Sequence, residues 1–266
     1  VAGRSSRARL AERLAKSRPV ESATVHELRR QVGLLERRIS KLRSKEEIIL
    51  DAVASVLRDA MPRLEVPEAD YKTPTRGNEE VAILHLSDIQ LGKVTKTYDT
   101  AVAEERVLLA CQKAATITDL RRSQAKIERL HVYLGGDMVE GEDIFPHQAH
   151  EIDSPLYEQA CVNGPRILTR AILLLLRHFK TVRVLTVPGN HGRNGPRHTR
   201  SSPRTNWDQV LYHTLHTILF GLPDHPRKDL AKRLQFRLSE EFWMVDRVWD
   251  WGNLLVHGHQ ISGGFA

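Results

Sequence analysis

The sequence predicts an α/β fold preceded by a long N-terminal helix. Two observations carry this. From residue 81 onward, short and nearly continuous apolar runs alternate with helical stretches, the pattern of a parallel sheet covered on both faces. Before residue 62, apolar positions recur at helical rather than strand spacing.

Taken in order, residues 1–20 are rich in Arg, Lys, Ser and Ala without an apolar face, a frayed helix or a basic arm. Val25, Val32 and Ile39 then alternate with Leu28, Leu35 and Leu42 as the a and d positions of three heptads. β-Branched a and Leu d positions favour a parallel two-stranded coil, so a homodimer or a helical partner is expected through residues 25–49. An amphipathic helix lying on the chain's own globular part is the alternative. The helix should end near Pro62, and residues 62–80, with three prolines, read as a linker. The domain at 81–266 should hold strands at "VAILHLS", "RLHVYLGG" and "VRVLTVPG". Helices are expected at 100–125, at 154–179 as a pair broken at "NGP" and capped by Asn163, and at 205–220. "LQFRLS", "FWMVDRVW" and "NLLVHG" follow with short connections, as expected for a second, more antiparallel layer.

Composition limits the classes. Hydrophobic residues at 41% and charged residues at 27% describe a globular protein. The longest apolar run, Ala171 to Leu176, is too short to cross a bilayer. No signal-peptide pattern opens the chain, and Cys111 and Cys161 sit singly in helical sequence, so a reduced, cytoplasmic setting is expected. A net charge of +7 permits a polyanionic partner without requiring one.

Chemistry collects at the strand ends, where open α/β sheets bind ligands. They read "SDIQLG", "GGDMVEG", "PGNHGR" and "VHGHQ", offering Asp88 and Gln90, Asp137, Asn190 and His191, and His257 and His259. Each alone is an ordinary turn or cap residue. Together they form a thiolate-free set of carboxylates, amides and imidazoles, suited to Mn²⁺, Fe²⁺ or Zn²⁺. Two such ions roughly 3.5–4 Å apart, bridged by a carboxylate such as Asp137, can grip a phosphoryl group and activate water.

This order of tips resembles the calcineurin-like metallophosphoesterases, over roughly residues 81 to 266. The resemblance implies a two-layered mixed β-sandwich flanked by helices and a site with two divalent metal ions, Mn²⁺ foremost. It makes Asp88 and Gln90 ligands of the first metal, Asp137 the bridge, Asn190 and His257 ligands of the second, and His191 the group that assists the leaving oxygen. "GGDMVEGEDIFPHQAHEIDSPLYEQ" is similar to the exonuclease small subunit of archaeal family-D DNA polymerase. "HLSDIQLGK" is similar to the nuclease subunit of double-strand-break repair complexes, and phage sequences show the same features. Two departures stand out. Gln90 occupies a position that is His in the family, and the family's closing G-H-x-H is not matched. One reading makes "NLLVHG" the earlier lone-His strand, with the closing pair beyond Ala266. The other makes His257 and His259 that pair. On either reading at least one ligand is missing, which leaves a single-ion or inactive site as an expectation.

After "GNH", Arg193, Arg197, Arg200 and Arg204 lie on a Gly/Pro/Ser-rich loop beside the proposed site. Guanidinium groups there suit the phosphates of single- or double-stranded DNA. Trp243, Trp249 and Trp251 could stack on bases, but their strand spacing favours a place in the core. The expected function is therefore a metal-dependent phosphodiesterase, foremost an exonuclease-like DNA nuclease. The alternatives are a phosphatase or phosphodiesterase for small substrates, and a degenerate scaffold that binds or assembles nucleic acid.

Overall fold

The computed structural model describes residues 30–34, 67–71, 77–195, 202–221 and 228–261. The chain divides into two units, Val1–Pro62 and Arg63–Ala266. In the first, residues 30–34 are helical, with Val32 and Leu34 exposed. Of the heptad positions Val32 alone falls among the described residues; Val25, Leu28, Leu35, Ile39 and Leu42 lie outside them.

In the second unit, the elements are β1 (Glu79–Leu86), α1 (Thr100–Arg121), β2 (Lys126–Leu134), α2 (Gly164–His178), β3 (Thr181–Thr186), α3 (Trp207–Phe220), α4 (Lys228–Arg233), β4 (Leu234–Leu238), β5 (Trp243–Val248) and β6 (Trp251–Val256). Strands β1 to β4 form one parallel sheet in chain order, and β5 and β6 pair as an antiparallel hairpin. The fold is thus mixed α/β. No helix among the described residues is long and apolar enough to cross a membrane.

Consecutive parallel neighbours joined by right-handed crossovers place their helices on one face of the sheet. The core has that asymmetry. Leu130, Val132 and Leu134 of β2 pack with buried residues of α1, α2 and α3. The alternate residue Tyr133 packs instead with Leu185, Val187, Met244 and Leu255 beneath the hairpin. Helix α1 buries Ala103, Val107, Cys111 and Ala115, a spacing of four that puts one narrow stripe on the sheet. Burial pushes the Cys111 thiol up to about 12, so it remains a neutral core group.

Three expectations are corrected. Strand β4 pairs parallel with β3 and belongs to the main sheet, not to the second layer; it follows a crossover through α3 and α4, the kind of connection a parallel neighbour requires. The helix at 154–179 is not broken at Asn163. That residue is helical (φ −67°, ψ −50°) and caps nothing, and a π turn over Gln159–Asn163 carries the helix past Pro165 by widening where the proline lacks an N–H. The tryptophans are not core residues: Trp243, Trp249 and Trp251 are 53%, 53% and 77% exposed, because the hairpin covers the sheet with its other side chains.

Residues 67–71 belong to this unit and pack on its helices. Asp70 N donates to Arg177 O at 2.7 Å, Arg233 donates to Pro67 O, and the Arg122 guanidinium stacks on Tyr71 at 4.3 Å.

The hairpin is locked by a buried carboxylate. Asp246 accepts from His131 Nδ1, from Tyr133 Oη at 2.9 Å and from Arg183 at 3.1 Å. Burial alone would raise its pKa, but these donors hold it below the ordinary value of 3.8. A depressed acid stabilises fully above its unfolded pKa and loses that contribution as pH falls below it. Asp246→Ala takes the shared acceptor from the buried His131 and Tyr133 and from the half-buried Arg183, and should cost about 3–5 kcal/mol in urea unfolding. Asp246→Asn should flatten the fall in stability below a pH of about 4.

Candidate metal centre

The carboxyl ends of β1, β2 and β3 meet because their loops are zipped by backbone hydrogen bonds. Gln90 N donates to Asp137 O at 2.9 Å, and Leu91 N to Met138 O at 2.8 Å. Asp88, Gln90 and Asp137 all have left-handed backbones (φ 56°, 48° and 53°). Such conformations cost non-glycine residues energy and persist where surrounding structure imposes them. Here the constraint is close packing. A Cβ on Gly136 would lie 2.5 Å from Gly189 N, and one on Gly189 would lie 2.1 Å from Asp137 Oδ1. Two glycines thus let the second and third tips touch.

The structure brings Asp88, Asp137 and His257 together, with ligand atoms within 4.8 Å of one another. Asp137 is buried and uses both oxygens. Oδ1 accepts from His191 N at 2.7 Å, and Oδ2 lies 3.1 Å from His257 Nε2. The same Nε2 is 3.1 Å from Asn190 Oδ1, and His257 Nδ1 is 2.9 Å from Gly135 O. A carbonyl on one ring nitrogen fixes the imidazole and aims the other at the oxygens, the arrangement that orients metal-bound histidines. Burial lowers the pKa of His257, but hydrogen bonding and attraction from Asp137 prevail and lift it to about 9. Oxygen atoms of Asp88, Asp137 and Asn190 thus gather around His257 Nε2, a donor set that could hold a divalent cation. Those residue types fit such an ion.

The other expected residues are placed as follows. Gln90 lies at the rim: its Oε1 accepts from Lys93 Nζ at 2.8 Å, and its Nε2 is 3.4 Å from His191 Nε2. His191 is buried, with Nδ1 2.9 Å from Glu140 O and Nε2 4.0 Å from Asp137 Oδ2. Burial works against its charge, but Glu140 and Asp137 outweigh it and raise the pKa above the usual imidazole range. The His259 ring is 5.4 Å from that of His257 and edge-on to Phe242. Burial and the neighbouring His257 and Arg193 push its pKa down to about 4. It stands beside the Asp88–Asp137–His257 group, not within it. Arg193 Nε donates to Asn190 O at 2.8 Å, and Arg204 is ion-paired with Glu240. Arg197 and Arg200 lie outside the described residues.

Sequence reasoning misses the residues that hold the loops. Asp208, fully buried in the first turn of α3, accepts from Asp137 N (2.9 Å), Met138 N (3.0 Å), Val139 N (3.3 Å) and Gly189 N (2.8 Å). Burial, aided by the charge of Asp137, pushes its carboxyl up to about 6 against those donors. Asn206 caps α3 through Asp208 N and also donates to Gly189 O. Gln159, from the π turn, accepts from Glu140 N and Gly141 N. Gln148 accepts from Ile144 N and donates to Glu140 O. The one sequence signal for this set is the Asn-x-Asp start of a helix, which marks a cap but not its reach.

Compared with known proteins, the chain matches no family model and has no significant match among curated sequences.

Asp208→Ala should lower unfolding stability by more than about 3 kcal/mol, since several buried N–H groups lose their acceptor at once. In Asp208→Asn the amide oxygen can still accept, so the loss in a urea titration should be smaller.

Proposed function

We propose that this chain is a metal-dependent phosphodiesterase of the metallophosphoesterase type, acting on DNA as a nuclease. The convergence of Asp88, Asp137 and His257 from three separate strand ends, with Asn190 on the same imidazole nitrogen, supports the reading. Three strained backbones at predicted ligand positions add to it, because such strain gathers at functional sites. One or two divalent ions held there, Mn²⁺ foremost, would supply Lewis-acid activation of a phosphoryl group.

The chain's own residues then divide the work. Asp137 orders the site by gripping His191 N and facing His257. Asp88 and Asn190 add oxygen donors on either side. His191, with Nδ1 engaged by Glu140 O, keeps Nε2 on the side of Asp137 and hands a proton to the departing sugar oxygen. Lys93 and Arg193, close to Gln90 and Asn190, place positive charge where a polyanionic strand would pass.

A second reading is a scaffold that binds nucleic acid without cutting it. One observation favours it: the Gln90 oxygen is engaged by Lys93 and not turned to the carboxylates.

Incubation with single- and double-stranded DNA and Mn²⁺ should give cleavage that EDTA stops, with a chromogenic phosphate ester left largely intact. His191→Ala should slow cleavage by about 100-fold or more. Asp137→Asn should abolish both cleavage and the rise in melting temperature that Mn²⁺ gives the wild type. Undiminished cleavage by His191→Ala would refute the assigned role, preferred hydrolysis of the ester would favour a small substrate, and binding without cleavage under any divalent ion would favour the scaffold.

A further inference from the structure

At the opposite end of the sheet from the carboxylates, a cavity of about 310 Å³ opens between the first halves of β2 to β4 and the hairpin turn. Its chemistry is cationic. Arg129, Arg183 and Arg247 line it together with His131, Gln235 and Trp249. In-register pairing puts His131 beside Arg183 and Arg183 beside Gln235 on one face of the sheet, so these groups share one floor.

That floor is rigid. Arg183 Nε donates to Gln235 Oε1 at 2.9 Å, and its other arm reaches Asp246 at 3.1 Å. His131, also bound to Asp246, is kept on the neutral side by burial and by the neighbouring arginines, which outweigh the carboxylate. The opposing charges are Asp246, already shared among three donors, and Glu79, which takes one arm of Arg129 at 3.0 Å. Arg247 makes no ion pair among the described residues. The Nε of Arg129 is buried without a hydrogen-bond partner, which is costly unless an acceptor completes it.

The second observation is independent of charge. Trp249 opens the two-residue turn between β5 and β6 with φ 56°, while Asp250 is not left-handed. Glycine is the usual residue at such a position, and a bulky side chain there is an outlier. The turn holds an indole in a strained conformation, half exposed, with the Arg129 guanidinium 4.5 Å from its ring centre. Strain of this kind is retained where a side chain is needed in a fixed place.

We propose that this cavity binds a nucleoside phosphate, the base stacking on Trp249 and the phosphate lying among Arg129, Arg183 and Arg247. Base stacking on an aromatic and multidentate guanidinium contacts are the two elements of such recognition. The site is separate from the Asp88–Asp137–His257 centre and does not depend on the activity assigned there. The ligand is either a free nucleotide or one unit of a nucleic-acid strand.

Titrations in EDTA, which leaves the carboxylate centre without metal, distinguish these. Intrinsic tryptophan fluorescence follows AMP and inorganic phosphate, and anisotropy follows a fluorescein-labelled oligo(dA) of ten nucleotides. The wild type should bind AMP or the oligonucleotide, and phosphate more weakly than either. Saturation by AMP identifies a free nucleotide, whereas binding of the oligonucleotide alone identifies a strand. Trp249→Gly removes the indole and relieves the turn, so the melting temperature should hold or rise while affinity falls at least 10-fold. Arg247→Glu, on an exposed side chain, should lose at least 10-fold, and Lys113→Glu, the same charge change on exposed α1, should lose less than 3-fold. Affinity unchanged in both Trp249→Gly and Arg247→Glu, equal losses in Arg247→Glu and Lys113→Glu, or a wild type that binds neither AMP nor the oligonucleotide would overturn the proposal.

Discussion

The carboxylate of Asp208 is the constraint on which the candidate metal centre rests. It lies at the start of α3, where the unsatisfied N–H groups and the helix dipole favour negative charge. From there it accepts backbone N–H groups from both the Asp137 loop and the Asn190 loop. An ionised group so deep in the protein is tolerated only when its acceptor sites are filled. The two strand ends are therefore held at one distance by the need to satisfy one anion. That distance makes a glycine-to-glycine contact possible between Gly136 and Gly189, and the left-handed backbone of Asp137 follows from the same packing.

From this frame the site is built outward by shared atoms. Asp137 touches His191 through the backbone and His257 through the ring, so two strand ends and the hairpin are tied to one side chain. Gln159 and Gln148 hold the Glu140 loop, and Glu140 in turn holds the ring of His191. The side chains of Gln159, Gln148 and His191 and the Glu140 backbone are buried and hydrogen-bonded, which restricts the rotamers of the groups that face solvent.

The sheet separates opposite chemistries along its length. Carboxylates and imidazoles gather where the strands end, and arginines gather where they begin. Helices cover one face, so both clusters depend on the hairpin for the other. Asp246 anchors that hairpin by neutralising part of the arginine cluster, while Met244 and Leu255 supply its apolar contact. Met244 and Asp246, two residues apart on β5, share the buried face, so one strand supplies both an apolar seal and a polar anchor.

The sequence alone determined the strand and helix order and the residue types at the strand tips, since apolar periodicity and glycine-flanked acids, amides and imidazoles are local signals. It made Asp88, Asp137, Asn190, His191 and His257 legible as one set. It could not place β4, because a five-residue strand carries no mark of which neighbour it pairs with, and it sent the tryptophans to the core because strand spacing does not say which face is covered. It read "NGP" as a break because a π turn leaves no local signature. The role of Asp208, the turn of Gln90 toward Lys93 and the arginine cavity beneath Trp249 were decided only by tertiary structure. Each depends on groups far apart in the chain coming within hydrogen-bonding or stacking distance, and that proximity is set by how sheet, helices and hairpin bury their surfaces, not by any residue's neighbours in sequence.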